Sequence, residues 1–120
     1  PAASREKAAI IGPILVAMLS QAREGGVTVA FGTDTGVSKH GENAKELSLM
    51  VEAGYSPEEA IRTATVVASQ HVEMADQVGT LETGKFADII AVEGNPLKNI
   101  NELLDVDFVM KDGVVYKGDR

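Results

Sequence analysis

The stretch V-T-V-A-F-G-T-D-T-G-V-S-K-H-G-E-N, residues 27–43, decides the fold that we predict for this chain. It opens with the apolar run Val27 to Phe31, which lacks polar alternation and so predicts a strand covered on both faces, as in a parallel sheet. A Gly-Thr-Asp turn and a polar loop follow, and this loop contains His40, one of two histidines in the chain.

The carboxylate of Asp34 comes directly after the carboxyl end of this predicted strand. In α/β folds that edge of the sheet collects functional groups, because its loops vary on a rigid frame. From its position alone, Asp34 is either a functional carboxylate, a turn-forming residue or a helix cap.

The composition excludes several classes of partner. The chain has 120 residues, enough for one domain with a modest core. Its formal net charge of -7 argues against nucleic acid and anionic membranes as partners. The absence of cysteine excludes disulfides and thiolate metal sites and suits a cytoplasmic location. No apolar run approaches the roughly 20 residues that a membrane-spanning helix needs.

Three helices are predicted in the first part of the chain. Apolar residues at helical spacing indicate a first helix with a kink or a break at Pro13, ending at two glycines. A second helix is predicted from Asn43 to Ala53. The motif Ser56-Pro57-Glu58-Glu59 predicts the start of a third through a capping box, and this helix should continue to about His71.

The last part of the chain has the pattern of antiparallel β-structure. Ala87 to Val92 predicts a strand that ends at a Gly-Asn-Pro sequence. The runs Val106 to Met110 and Val114 to Lys117 flank Lys111-Asp112-Gly113, and Asp-Gly between apolar runs is a strong hairpin signal.

The predicted strand over residues 27–31 creates a difficulty, because a parallel strand needs hydrogen-bonding neighbours on both sides. The hairpin strands cannot serve if they form a sheet of their own. The chain also starts without a methionine or a signal-peptide pattern. We therefore expect it to be the C-terminal piece of a larger α/β protein.

Several motifs, in the right order, resemble the amidohydrolase superfamily. They are G-V-T-V-A-F-G-T-D-T-G-V, H-G-E-N-A-K-E-L, E-A-G-Y-S-P-E-E-A-I-R-T-A-T, V-G-T-L-E-T-G-K-F-A-D-I-I-A-V-E-G-N-P-L and V-M-K-D-G-V-V-Y. The similarity is strongest to the clade of imidazolonepropionase-like and Xaa-Pro dipeptidase-like enzymes. It covers nearly the whole chain.

The resemblance implies a fold and a division into two parts. The fold is a metal-dependent (β/α)₈ TIM barrel joined to a small β-sandwich. Residues 1–76 would supply the last barrel strand and outer helices, and residues 77–120 the C-terminal part of the sandwich.

The resemblance also implies an activity, the hydrolysis of carbon–nitrogen bonds in small amide or peptide-like substrates, such as dipeptides. Asp34 would bind a divalent metal, expected to be zinc. It would take a proton from the metal-bound water and pass it to the leaving amine. His40 would contact substrate. From their position, Thr33 and Thr35 either orient Asp34 by hydrogen bonds or only satisfy the turn.

The other ligands of that family's metal site are missing from this sequence, namely a His-x-His pair, a carbamylated Lys or a Glu, and two further histidines. Zinc usually needs at least three protein ligands. We therefore expect the isolated chain to be inactive and to bind no catalytic metal.

Two alternatives of different kinds remain open. The first is a non-catalytic module whose exposed strand and helix faces drive self-association into a homo-oligomer. The second treats G-T-D-T-G as a phosphate-binding loop before a helix, although it lacks the Lys-Ser/Thr of a Walker loop.

Overall fold

The structure, a computed structural model, describes residues 2–36 and 39–118, with side chains described for residue 7 and from residue 9 onward. The described part of the chain is α/β, with helices first and a small antiparallel sheet last. Its elements are α1 (Ala2–Glu24), α2 (Lys45–Glu52), α3 (Pro57–Ala64), α4 (Val66–His71), β1 (Ile89–Ala91), a 3₁₀ helix η1 (Ile100–Leu104), β2 (Phe108–Lys111) and β3 (Val114–Lys117).

The core lies where α2, α3 and η1 meet. Met50 and Ala60 are 2% and 0% exposed and form its centre. The remaining buried apolar side chains surround this pair, and they are Leu47, Ala53, Tyr55 and Ile100. The core is small because α1 contributes only partly buried side chains to it, and no described residue of the sheet packs against it.

The capping box predicted at the start of α3 is confirmed. Ser56 Oγ accepts a hydrogen bond from the Glu59 amide at 3.1 Å, and Glu59 Oε2 accepts one from the Ser56 amide at 2.7 Å. Arg23, in the last turn of α1, donates to both carboxylate oxygens of Glu59 and lies 5.6 Å from the centre of the Tyr55 ring. The Ser56 amide and then the Arg23 guanidinium lower the pKa of Glu59.

The predicted hairpin is also confirmed. β2 pairs with both β1 and β3 in antiparallel fashion, and the sheet order is β1-β2-β3. Asp112 and Gly113 have φ angles of 49° and 75°, the left-handed pair that a two-residue hairpin turn requires. Asp88 accepts hydrogen bonds from the Lys111 ammonium and, at 2.8 Å, from the Asp112 amide, and these donors lower the pKa of its carboxyl group.

The strand predicted over Val27 to Phe31 is not found. Within the part of the chain that the structure describes, ladder hydrogen bonds join only β1, β2 and β3. The physical reason is that a strand is stabilised by backbone hydrogen bonds to adjacent strands, and no described segment forms such a ladder with residues 27–31. The Phe31 amide instead donates to the Thr63 carbonyl of α3 at 3.1 Å.

The prediction of the third helix also needs correction. The third helix does not run unbroken to His71, because Thr65 (φ −121°, ψ −88°) separates α3 from α4. The Thr65 hydroxyl donates to the Ile61 carbonyl, a side-chain bond that competes with the helical pattern. In α1, the helix runs through Pro13 without the break that was one of the predicted outcomes.

The chain exposes more surface than a self-contained protein of its size. Its accessible surface is 8686 Å², whereas a folded monomer of this mass exposes about 6,200 Å². Its radius of gyration is 15.9 Å, against about 13.6 Å expected for a compact domain of this length. Apolar side chains of α1 contribute to the excess, and they include Ile10, Ile14, Leu15 and Met18. None of the described helices is both long enough and apolar enough to cross a membrane.

Tyr55 offers a test of the core. Its hydroxyl is buried without a hydrogen-bond partner among the described residues, and burial raises its pKa. Replacing Tyr55 by Phe removes this unsatisfied group and keeps the ring, so the free energy of unfolding should stay the same or rise by about 1 kcal/mol. Urea unfolding measures this change. Tyr116→Phe, at a side chain 72% exposed, is the matched control, and a loss of stability specific to Tyr55→Phe would contradict the prediction.

Glu59 offers a pH test of the α3 cap. Its lowered pKa means that the folded state favours the charged carboxylate, so this contribution is present above the unfolded pKa of about 4.3 and is lost as the pH falls. The stability of Glu59→Gln should therefore fall less than that of the unchanged chain between pH 6 and pH 3. Glu58→Gln, one residue away in the same helical turn, should behave like the unchanged chain. Equal pH slopes for all three proteins would refute this assignment.

Candidate active site at the Asp34 turn

The candidate site is the turn that carries Asp34. This residue has a φ of 45°, in the left-handed region that residues other than glycine seldom occupy. Asp tolerates that region better than most residues, so the turn alone accounts for part of the preference. Non-glycine residues with such angles also concentrate at functional sites.

The Asp34 side chain is exposed to solvent. Among the described residues, no donor is hydrogen-bonded to its carboxylate. This differs from Asp88 and Glu59, whose carboxylates are occupied by structural hydrogen bonds. Within the described part of the chain, the Asp34 carboxylate is thus exposed and takes no part in a structural hydrogen bond.

The two threonines beside Asp34 are half-buried and bond to each other, with 2.7 Å between their hydroxyl oxygens. The side-chain amide of Asn43 donates to both of them, at 2.9 Å to Thr33 Oγ1 and 2.7 Å to Thr35 Oγ1. These side-chain contacts thus join the two residues on either side of Asp34. The predicted role of Thr33 and Thr35 in orienting Asp34 stays a prediction.

Asn43 also connects this turn to the loop that carries His40. Its Oδ1 accepts a hydrogen bond from the Gly41 amide at 3.3 Å, and Gly41 has a φ of 90°. The His40 side chain is exposed, next to this glycine. The structure therefore places Asp34 and His40 on two loop segments joined by one side chain.

The second histidine lies elsewhere. His71 is exposed in the last turn of α4, on an element that is separate from the Asp34 turn. It therefore lies outside the candidate site.

A divalent metal would find only part of a ligand set here. The exposed Asp34 carboxylate suits one coordination position. Among residues 2–36 and 39–118, however, no group of three or more His, Cys, Asp or Glu side chains is arranged to hold a metal ion. The described residues thus fit a single ligand and do not complete a metal site.

Sequence reasoning missed the contribution of Asn43. That residue was predicted as the start of the second helix, but α2 begins at Lys45 and its N-cap is Ala44. The Asn43 side chain makes its contacts 8 and 10 residues back in the sequence. No local pattern reports such a contact, because an Asn before a predicted helix is explained equally well as a helix cap.

Comparison with known proteins identifies the family. The Amidohydrolase family profile matches residues 8–116. The chain belongs to the amidohydrolase family. The structure of this amidohydrolase chain is similar to a solved Xaa-Pro dipeptidase with methionine bound in its active site, with a TM-score of 0.90 and 47% identity over 98% of this chain. The resemblance predicted from the sequence motifs is thereby confirmed.

Two curated relatives have names that differ from that of the dipeptidase. Ochratoxinase of Aspergillus niger is 43% identical over 98 residues, which make up 78% of this chain and 20% of ochratoxinase. Adenine deaminase 2 of Jannaschia sp. (strain CCS1) is 34% identical over 80 residues, or 66% of this chain and 13% of the deaminase. The chain also covers 29% of the dipeptidase, so it spans less than a third of each of these proteins.

Proposed function

We propose that this chain is the C-terminal part of a metal-dependent hydrolase that cleaves carbon–nitrogen bonds in small amide or peptide-like substrates, with an Xaa-Pro dipeptide as the first candidate. The observation that carries the proposal is the exposed Asp34 carboxylate, held on a left-handed turn in an amidohydrolase chain. The similarity to an Xaa-Pro dipeptidase supports the choice of substrate.

The proposal includes the arrangement of the whole protein. Residues 1–76 would form the last strand and outer helices of a TIM barrel, and residues 77–120 the C-terminal part of a small β-sandwich. The apolar segment from Val27 to Phe31 supports this arrangement, because neighbouring barrel strands would supply the partners that its backbone lacks here. The large exposed surface is consistent with the same arrangement.

Each residue of the site then has a role. A bound divalent metal, for which zinc is the first candidate, would polarise the scissile carbonyl and lower the pKa of water. The Asp34 carboxylate would hold a proton at one oxygen and deliver it to the leaving amine. His40 would contact the substrate from the neighbouring loop. The remaining metal ligands would come from outside this chain. From the composition we also predict a cytoplasmic protein that binds neither nucleic acid nor membranes.

Asp34→Asn tests the proposal directly. In the hydrolase that contains this chain, the change should lower kcat/KM for an Xaa-Pro dipeptide by roughly 100-fold or more, because a neutral amide cannot transfer the proton. Metal content, measured by elemental analysis, should also fall. Asp76→Asn is the matched control, since Asp76 is also exposed but lies outside the site. Unchanged kcat/KM and metal content in Asp34→Asn would refute the assigned role.

A second candidate function is a non-catalytic, self-associating module. The exposed apolar residues of α1 favour it, because contiguous apolar surface of this kind marks interaction sites. This candidate is compatible with the first, since the isolated chain can self-associate through surfaces that the complete hydrolase would cover.

Light scattering on the isolated chain distinguishes a monomer from a self-associated form. The mass should exceed the monomer value of 12.6 kDa, and the double variant Ile14→Glu, Met18→Glu should bring it back toward the monomer. Both side chains are about 60% exposed (61% and 59%), so these substitutions should not disturb the fold. Lys98→Glu, a charge change at an exposed loop position, is the control. A monomeric unchanged chain would contradict the self-association proposal.

A further inference from the structure

We propose that Asn43 is a positioning residue that sets the direction of the Asp34 carboxylate by holding Thr33 and Thr35 together. The inference rests on the proposed function of Asp34, and it assigns to Asn43 a part in that same site. Asn43 would not touch substrate or metal; it would act through the two threonines.

The donor count of the Asn43 amide matches this role. A side-chain amide has two N–H donors, and Asn43 Nδ2 lies within hydrogen-bond distance of two hydroxyl oxygens, at 2.9 Å and 2.7 Å. With the 2.7 Å contact between the threonine hydroxyls, the three side chains form a closed triangle of hydrogen bonds. Thr33 and Thr35 are the immediate neighbours of Asp34, so the triangle restrains the backbone on both sides of Asp34.

The orientation of the Asn43 amide is fixed from its other end. The Gly41 amide donates to Asn43 Oδ1 at 3.3 Å. If the side chain were turned over, two N–H groups would face each other at Gly41 and both threonine hydroxyls would have to donate to one carbonyl oxygen. The backbone at Gly41 therefore selects the orientation in which Nδ2 reaches the Asp34 turn.

Asn43 is itself well anchored. Its carbonyl accepts a hydrogen bond from the Glu46 amide at 3.2 Å, at the entrance to α2. Helix α2 then places Leu47 and Met50 in the buried core. The triangle thus connects the Asp34 turn to the helix that supplies part of the buried core.

The positive φ of Asp34 explains why such a restraint is needed. Residues other than glycine seldom occupy the left-handed region, and even Asp does so only in particular turns, so an unrestrained turn would relax toward other conformations. Such relaxation would move the carboxylate, and small displacements of a catalytic group reduce rates strongly.

The experiment compares Asn43→Ala, Thr35→Val and Thr35→Ser with Asn101→Ala as the control. Asn101 also makes an amide–hydroxyl contact with α2, accepting from Ser48 at 2.8 Å, but lies away from the turn. In the hydrolase that contains this chain, Asn43→Ala and Thr35→Val should each weaken metal binding and lower kcat by about 10- to 100-fold, as outer-sphere changes do. Thr35→Ser, which keeps the hydroxyl, should stay near the unchanged protein, as should Asn101→Ala.

A second readout does not depend on activity. NMR of the 120-residue chain measures the amide–Hα coupling of Asp34, which reports φ, and the hydrogen exchange of the Asn43 side-chain amide. Asn43→Ala should shift the Asp34 coupling away from its left-handed value, and Asn101→Ala should not. An unchanged Asp34 coupling in Asn43→Ala would overturn the positioning role. A higher KM with kcat preserved would also overturn it.

Failure of this inference is distinguishable from failure of the proposed function. If Asp34→Asn abolishes activity while Asn43→Ala leaves kcat, metal affinity and the Asp34 coupling unchanged, the function stands and the positioning role is refuted. If Asp34→Asn has no effect on activity or metal content, the proposed function fails at this residue. The Asp34 coupling then decides alone whether Asn43 holds the turn, and the inference about catalysis is overturned with the function.

Discussion

The hydrogen bond from the Phe31 amide to the Thr63 carbonyl, 3.1 Å long, joins the segment that leads to Asp34 to the helical core. Thr63 lies next to the last residue of α3, where helical carbonyls lack partners within their own helix. The Phe31 amide satisfies one of these carbonyls and is satisfied in turn. Thr63 is buried, and its hydroxyl also approaches the sulfur of Met50 at 3.4 Å, so the contact reaches the centre of the core. Because of the hydrogen bond between Phe31 and Thr63, the position of the candidate site depends on where α3 ends.

The features predicted correctly from the sequence are those set by neighbouring residues. The Ser56–Glu59 capping box closes within one helical turn, and the Asp112-Gly113 turn needs only two residues that tolerate positive φ. Gly54, which follows the end of the predicted second helix at Ala53, also has a positive φ of 98°. Asp34 was singled out for a similar reason, because a carboxylate after an apolar run is visible in the sequence itself.

The features that the sequence did not predict depend on contacts between distant residues. The run from Val27 to Phe31 has the composition of a strand, but a strand forms only where another segment offers its hydrogen-bonding edge. Near the end of α3, the hydroxyls of Thr63 and Thr65 donate to helix carbonyls. The Phe31 amide donates to the carbonyl of Thr63, 32 residues later in the chain. The role of Asn43 depends on loop closure across the site, which no local pattern encodes.

The surface of the chain supplies an independent argument about how the site is completed. An excess of about 2,500 Å² over a compact monomer is of the size that extensive permanent interfaces bury. The exposed apolar side chains on α1 are one such surface, and the segment from Val27 to Phe31, which has no strand partner in the described part of the chain, is another. Covering the α1 face would stabilise the chain without changing the chemistry of Asp34. Covering the segment from Val27 to Phe31 with neighbouring strands would instead place their carboxyl ends beside Asp34, because the ends of parallel strands meet at one edge of a sheet. The strand partners of this segment, and the further ligands that the proposed metal site requires, would therefore come from the same strands.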